Sequence, residues 1–190
     1  MKLTNEQNAL KILFKDFLTA YNSRNLSKLI GISHAGTFKI LKKLEKDEIL
    51  KSKRIGNTVV YSINFENSIS KRLIDTILTI EAHSYNRWLE EFKSLDNKVY
   101  FAVLFGSILN GAKTAIDIDL LVVGEEENYK EIKKIVEEKN KLSNKKVHLI
   151  FQTLEEFKKD LTGNNKVTIK IIKKGIPLFG QDKYRKTIVS

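Results

Sequence analysis

Residues 105–123, FGSILNGAKTAIDIDLLVV, constrain this chain more than any other stretch. They read as the end of a strand, a Gly-Ser pair, a short glycine-containing link and a second strand carrying two aspartates in an apolar run. Side chains alternate along a strand, so Asp117 and Asp119 share one face while Ile116, Ile118 and Leu120 take the other. Two neighbouring carboxylates repel each other, and each resists desolvation. A divalent cation between them removes that conflict, and Mg²⁺ takes oxygen ligands completed by water and phosphate. Gly106 lets the backbone approach a phosphate closely, and the Ser107 hydroxyl with the start of a following helix can hold its oxygens. A half-exposed strand with one wet face explains IDID alone just as simply. The Gly-Ser pair together with Asp-x-Asp favours a nucleotide-and-metal site.

Strands and helices alternate from Lys98 onwards. VYFAVLF and IDIDLLVV are apolar strands, residues 129–142 form a Lys/Glu-rich helix striped with Ile132, Ile135 and Val136, and KVHLIFQ is a third strand. TLEEFKKDL is a helix with Thr153 as its N-cap. Residues 167–174 fit both helical and strand periods, and a short strand follows Gly175. This arrangement resembles the nucleotidyltransferase superfamily that includes DNA polymerase beta, nearest to the minimal nucleotidyltransferases of prokaryotes, over roughly residues 98–180. The resemblance implies that Gly106 and Ser107 bind phosphate, and that Asp117 and Asp119 are metal-binding catalytic carboxylates for Mg²⁺ and a nucleoside triphosphate. It also implies a third carboxylate on the following strand, which helps to activate the attacking hydroxyl. At that position stands His148, and the strand has no acid. The basic residue that commonly follows the Gly-Ser pair is also missing, with Asn110 in SILNG. His148 is open to three readings: a replacement base, a ligand for another metal, or a polar residue on an exposed face. Glu125, Glu126 and Glu127 either approach the site or form a solvated loop.

The first third of the chain follows a different plan. Residues 5–21 place Leu10, Leu13, Phe14, Phe17 and Leu18 on one helical face. A second, short helix carries Leu26, Leu29 and Ile30 and stops at Gly31. Ser33 caps a third helix, SHAGTFKILKKLEKDEIL, whose Phe38, Leu41, Leu44 and Ile49 face inward. KSKRIGNTVVYSINF then reads as a hairpin turning at Gly56-Asn57, with Val59, Tyr61 and Ile63 alternating. LSKLIGISHAGTFKILKKLEKDEIL followed by KSKRIGNTVVYSIN resembles the winged helix-turn-helix transcriptional regulators of bacteria and archaea, over roughly residues 5–65. Residues 1–65 carry twelve Lys/Arg against five Asp/Glu, and the other 125 carry twenty-two against eighteen, so +7 of the +11 net charge lies there. That concentration suits a polyanion such as double-stranded DNA, although lysines that only solvate a surface give the same count. In the DNA reading, Ser33, His34, Gly36 and Thr37 meet base edges in the major groove, and Lys39, Lys42 and Lys43 neutralise phosphates. Lys51, Lys53, Arg54 and Asn57 belong to the wing, against backbone or minor groove.

Residues 66–95 contain neither Gly nor Pro and carry an apolar stripe (Ile69, Leu73, Ile77, Ile80, Trp88, Phe92) that Ile74, Leu78, Tyr85 and Leu89 broaden, which predicts a long connecting helix that packs on both domains or forms a dimer interface. The expected fold class is thus α+β. Residues 1–65 form the winged helix-turn-helix, 66–96 the connecting helix, and 97–190 an α/β nucleotidyltransferase-like domain with a small mixed sheet. With no cysteine there is neither a disulfide framework nor a thiolate site. The charged start lacks the apolar block of a signal peptide, and no apolar run is membrane-spanning, so a cytoplasmic protein is expected. The reading that follows is a homodimeric DNA-binding regulator whose second domain senses a nucleotide. The alternatives are an active transferase acting on a protein or small hydroxyl-bearing acceptor, and an antitoxin-like module.

Overall fold

The computed structural model describes residues 2–111 and 115–189, and it divides into two compact units, Met1–Ile80 and Glu81–Ser190. The class is α+β: a two-stranded antiparallel sheet belongs to the first unit and a mixed four-stranded sheet to the second. Among the described residues, no helix is long and apolar enough to cross a membrane.

In the first unit, helix α1 (Asn5–Lys15) begins with a reciprocal cap: the Thr4 hydroxyl accepts from the Gln7 amide, and the Gln7 side chain accepts from that of Thr4. It ends at Lys15 instead of continuing to residue 21. Asp16 turns the chain by accepting hydrogen bonds from the Tyr21 hydroxyl at 2.5 Å and the Thr19 hydroxyl at 3.0 Å. Phe17 and Leu18, expected on the inner face, are therefore 39% and 57% exposed. Helix α2 (Ser23–Ile30) has an Asn22/Asn25 cap and stops at the left-handed Gly31. Helix α3 (His34–Lys46) starts at the predicted cap, Ser33. Leu41, Leu44 and Ile49 are buried as expected, whereas Phe38 is 45% exposed. Strands β1 (Leu50–Ile55) and β2 (Thr58–Ile63) pair antiparallel around Gly56-Asn57, and the backbone of Tyr21 bridges to Tyr61.

The segment expected as one long helix is three. Helix α4 (Ser68–His83) is followed by α5 (Asn86–Glu91) and a 3₁₀ turn, Lys93–Lys98. At the break the amides of Ser84 and Tyr85 bond to the carbonyls three residues back, on Glu81 and Ala82, which ends the regular helical ladder. The cause is tertiary: Trp88, Phe92 and Leu95 enter the core of the second unit. The apolar stripe of the sequence is thus divided, with Ile69, Leu73, Ile77 and Ile80 in α4 and Trp88 in α5.

The second unit contains β3 (Phe101–Phe105), β4 (Asp117–Val123), α6 (Tyr129–Leu142), β5 (Lys146–Gln152), α7 (Leu154–Thr162), α8 (Lys166–Lys174), β6 (Ile176–Phe179) and α9 (Gln181–Ile188). The sheet order is β5-β4-β3-β6. β3 runs antiparallel to both neighbours, while β4 and β5 are parallel and need the crossover that α6 supplies. Phe101 to Leu104 are buried on both faces, as a central strand requires. Residues 167–174 are helical: Asn165 caps α8, and Ile171 and Ile172 are buried beneath it. α9 had no counterpart in the sequence reading. Its Tyr184 is fully buried and packs edge-on against Phe101 at 5.3 Å.

Candidate functional site

β4 changes character along its length. Leu120 to Val123 are buried on both faces, whereas Asp117 and Asp119 at its start are half-buried around the buried Ile118. The strand period thus places both carboxylates on one face, as expected. Ile116 does not join the opposite face: it lies just before the strand and is 87% exposed.

β3 delivers the Gly-Ser pair to these carboxylates. Phe105, its last residue, stands opposite Asp119 in the antiparallel register. The chain then turns through Gly106 at φ +81 into a five-residue 3₁₀ turn, Gly106–Asn110. A Cβ added at Gly106 would lie 1.9 Å from Asp119 Oδ2 and 2.9 Å from its Cγ. Only glycine lets the backbone come this close to the carboxylate, and it also accepts the left-handed φ. Ser107 is exposed beside it. The expected helix start is only this short 3₁₀ turn, and residues 112–114 of the predicted link lie outside the described residues.

The third member comes from β5. The parallel register sets His148 opposite Asp119, and its Nδ1 lies 3.2 Å from Asp117 Oδ2 and 3.7 Å from Asp119 Oδ1. Ligand atoms of Asp117, Asp119 and His148 all fall within 4.8 Å of one another. Burial pushes the Asp119 carboxyl above the usual carboxylate range and the charge of Asp117 adds to this, while His148 opposes both. Two carboxylates supply oxygens suited to Mg²⁺, but the donor facing them is a nitrogen, which suits Mg²⁺ poorly. Glu125, Glu126 and Glu127 do not complete the set. They follow Val123, about 13 Å of strand beyond Asp119, and are exposed.

Sequence reasoning missed one residue here. Lys145 donates its ammonium to the carbonyl of Ala115, two residues ahead of Asp117. A cation therefore stands near the site, whereas Asn110, at the end of the Gly-Ser turn, is exposed and neutral. Nothing in the sequence announces this, because it depends on the β4–β5 register that pairs Asp117 with Lys146.

In the first unit the expected DNA-facing residues divide. Ser33, His34, Lys39, Lys53, Arg54 and Asn57 are exposed, while Gly36 is half-buried. Thr37 is corrected: it is fully buried and its hydroxyl donates to the Ser33 carbonyl, so it cannot meet a base edge. The Ser33 hydroxyl accepts from the Gly36 amide, and His34 Nε2 lies 2.8 Å from the Ser23 hydroxyl. Lys42 pairs with Glu45 at 2.7 Å, Lys43 with Glu6 at 2.8 Å and Lys51 with Glu66 at 2.7 Å. Exposed pairs of this kind are worth at most about 1 kcal/mol, so phosphates can displace the acids. Arg54 donates to the Gly56 carbonyl, which holds it along the wing.

Residues 86–178 match the family model described as the nucleotidyltransferase domain, a span that contains β3, β4, β5 and the Asp117–Asp119–His148 cluster. No curated protein matches the chain. Among solved structures, a variant of ZitR from Lactococcus lactis is 24% identical with a TM-score of 0.33, over 51% of this chain and 62% of that one. A second ZitR variant, in complex with DNA, is 25% identical with a TM-score of 0.32, over 50% and 62%. A third is 23% identical with a TM-score of 0.33, over 60% and 70%. The chain thus spans less than two thirds of the first two ZitR structures, and likeness at this level fixes neither fold nor function.

Proposed function

We propose that this chain is a DNA-binding transcriptional regulator whose second unit binds a nucleoside triphosphate with a divalent ion, without transferring it. One observation carries the nucleotide reading: the Gly106 backbone, Asp117 and Asp119 converge at one end of the two central strands of the sheet, within the span that matches the nucleotidyltransferase domain. Asp117 and Asp119 would hold the ion, which neutralises triphosphate charge when bound. Gly106 and Ser107 would hold phosphate oxygens, with Lys145 a further cation nearby. The ligand-spaced group at this site contains two carboxylates and one imidazole. Transfer in this family relies on a third carboxylate to help activate the attacking hydroxyl, so the composition favours binding over catalysis.

The DNA reading rests on the order of α2, α3 and the β1–β2 hairpin, and on the exposed Lys39, Lys53 and Arg54. A homodimer would present two such units to two half-sites. Titration with each nucleoside triphosphate and Mg²⁺ or Mn²⁺, followed by mass spectrometry of chain and products, tests the nucleotide reading of the second unit. The expected result is saturable binding that Asp117→Asn/Asp119→Asn removes, with no nucleotidyl adduct. A metal-dependent adduct would replace the sensor with a transferase, and no binding of any nucleotide would remove both. For the DNA reading, affinity for duplex DNA should fall steeply between 50 and about 200 mM salt. A flat salt curve contradicts phosphate contacts, and equal DNA affinity with and without nucleotide contradicts sensing.

A further inference from the structure

We infer that Asp117, Asp119 and His148 form a single mixed oxygen–nitrogen site that selects a first-row divalent transition ion, such as Mn²⁺ or Zn²⁺, over Mg²⁺. The inference deepens the nucleotide reading, resting on it only for the location of the site. Three donors each about 2.1 Å from one ion lie roughly 3.0–3.4 Å from one another. His148 Nδ1 stands 3.2 Å from Asp117 Oδ2 and 3.7 Å from Asp119 Oδ1, and ligand atoms of all three lie within 4.8 Å of one another, so side-chain rotation brings them to one ion. The three side chains come from adjacent parallel strands in fixed register, and Gly106 leaves the Asp119 carboxylate room where any Cβ would displace it. The His148 side chain is 61% exposed, against 30% and 26% for Asp117 and Asp119. The two carboxylates therefore lie deeper and His148 stands at the solvent side, where water or phosphate oxygens can complete the coordination.

The selectivity follows from the donor chemistry. Mg²⁺ is a hard ion that keeps oxygen ligands and gains little from an imidazole. Transition ions bind imidazole well and take carboxylate oxygens beside it, with affinities rising along the first row. A third carboxylate at position 148 would favour Mg²⁺; a histidine there moves the preference to the softer ions. The same His148–Asp distances also describe an ordinary ion pair at a sheet surface, and metal titration separates the two.

The test is calorimetric titration of the full chain with MgCl₂, MnCl₂ and ZnCl₂ separately and without nucleotide. It compares wild type, His148→Ala, His148→Asp and Asp117→Asn/Asp119→Asn. Broadening of the His148 imidazole resonance by Mn²⁺ provides a residue-specific readout. Wild type should bind Mn²⁺ and Zn²⁺ at least tenfold more tightly than Mg²⁺. His148→Ala should lose most of that preference while Mg²⁺ binding changes little, and His148→Asp should raise Mg²⁺ affinity and lower that for Zn²⁺. Equal affinities in wild type, or a preference unchanged in His148→Ala with no Mn²⁺ broadening at His148, overturns the inference and leaves a surface ion pair. Selective metal binding without any nucleotide binding would sustain this site and end the nucleotide reading alone.

Discussion

Gly106→Ala probes the site at its tightest point. The added Cβ would sit 1.9 Å from Asp119 Oδ2, 2.9 Å from Cγ and 3.2 Å from Cβ. Carbon atoms pack at about 3.5–4.0 Å, so rotating the carboxylate relieves the oxygen contact but not those to Cγ and Cβ. The strand or the turn must move. The substitution also places alanine at φ +81, where the left-handed region costs an L-residue about 1–2 kcal/mol. The second unit should therefore lose roughly 2–3 kcal/mol, or several degrees in melting temperature. Displacing Asp119 by an ångström should weaken metal binding at least tenfold, about 1.4 kcal/mol. Circular dichroism melts and metal calorimetry on the same sample read the two effects. In an Asp119→Gly background the clash is gone, so Gly106→Ala should cost only the backbone strain. A Gly106→Ala chain with wild-type melting and wild-type metal affinity would refute the close approach of backbone and carboxylate.

Other consequences are open to measurement. Burial and the Asp16 hydrogen bond push the Tyr21 hydroxyl up to about 12 from its ordinary value near 10. The unfolded chain then loses this proton first, so the contribution is fully present below pH 10 and is lost as pH rises towards 12. Denaturant titrations of wild type and Tyr21→Phe across that window should differ in slope, on the order of 1 kcal/mol, and parallel curves would contradict it. Trp88→Ala empties a core position that is 5% exposed and should destabilise by about 3–5 kcal/mol in chemical denaturation. Ser33→Ala removes the α3 cap and should cost about 1 kcal/mol, whereas Lys39→Ala with Lys53→Ala should leave stability unchanged and reduce the salt slope of DNA binding by about two.

Much of the architecture was legible because it is written in short-range chemistry. The Thr153 cap, the Ser33 cap, the Gly31 stop and the 129–142 helix depend on residues within one or two turns, and all occur where the sequence puts them. The pairing of Asp117 with Asp119 was legible for the same reason, since a two-residue period places them on one face. The helix break at residues 84–85 was not, because no Gly or Pro marks it; Trp88, Phe92 and Leu95 follow a core whose other side is β-sheet. Residues 167–174 satisfied both periods, and the burial of Ile171 and Ile172 decides for the helix. Thr37 looked like a small polar reader of bases, yet its hydroxyl can turn back to the Ser33 carbonyl and let the residue pack inside. Phe38 beside it is left half exposed.

By itself, then, the sequence determined the local elements, the two carboxylates on one strand face and the Gly-Ser turn before them. The tertiary structure decided what those carboxylates face. Strand register is a long-range property, set by how β4, α6 and β5 pack together, and a slip of one residue would turn His148 to the other side of the sheet. In the register adopted, an imidazole faces the two carboxylates, and Lys145 arrives beside Ala115. The glycine of the opening motif, legible only as a permissive turn, is required because its backbone lies against Asp119.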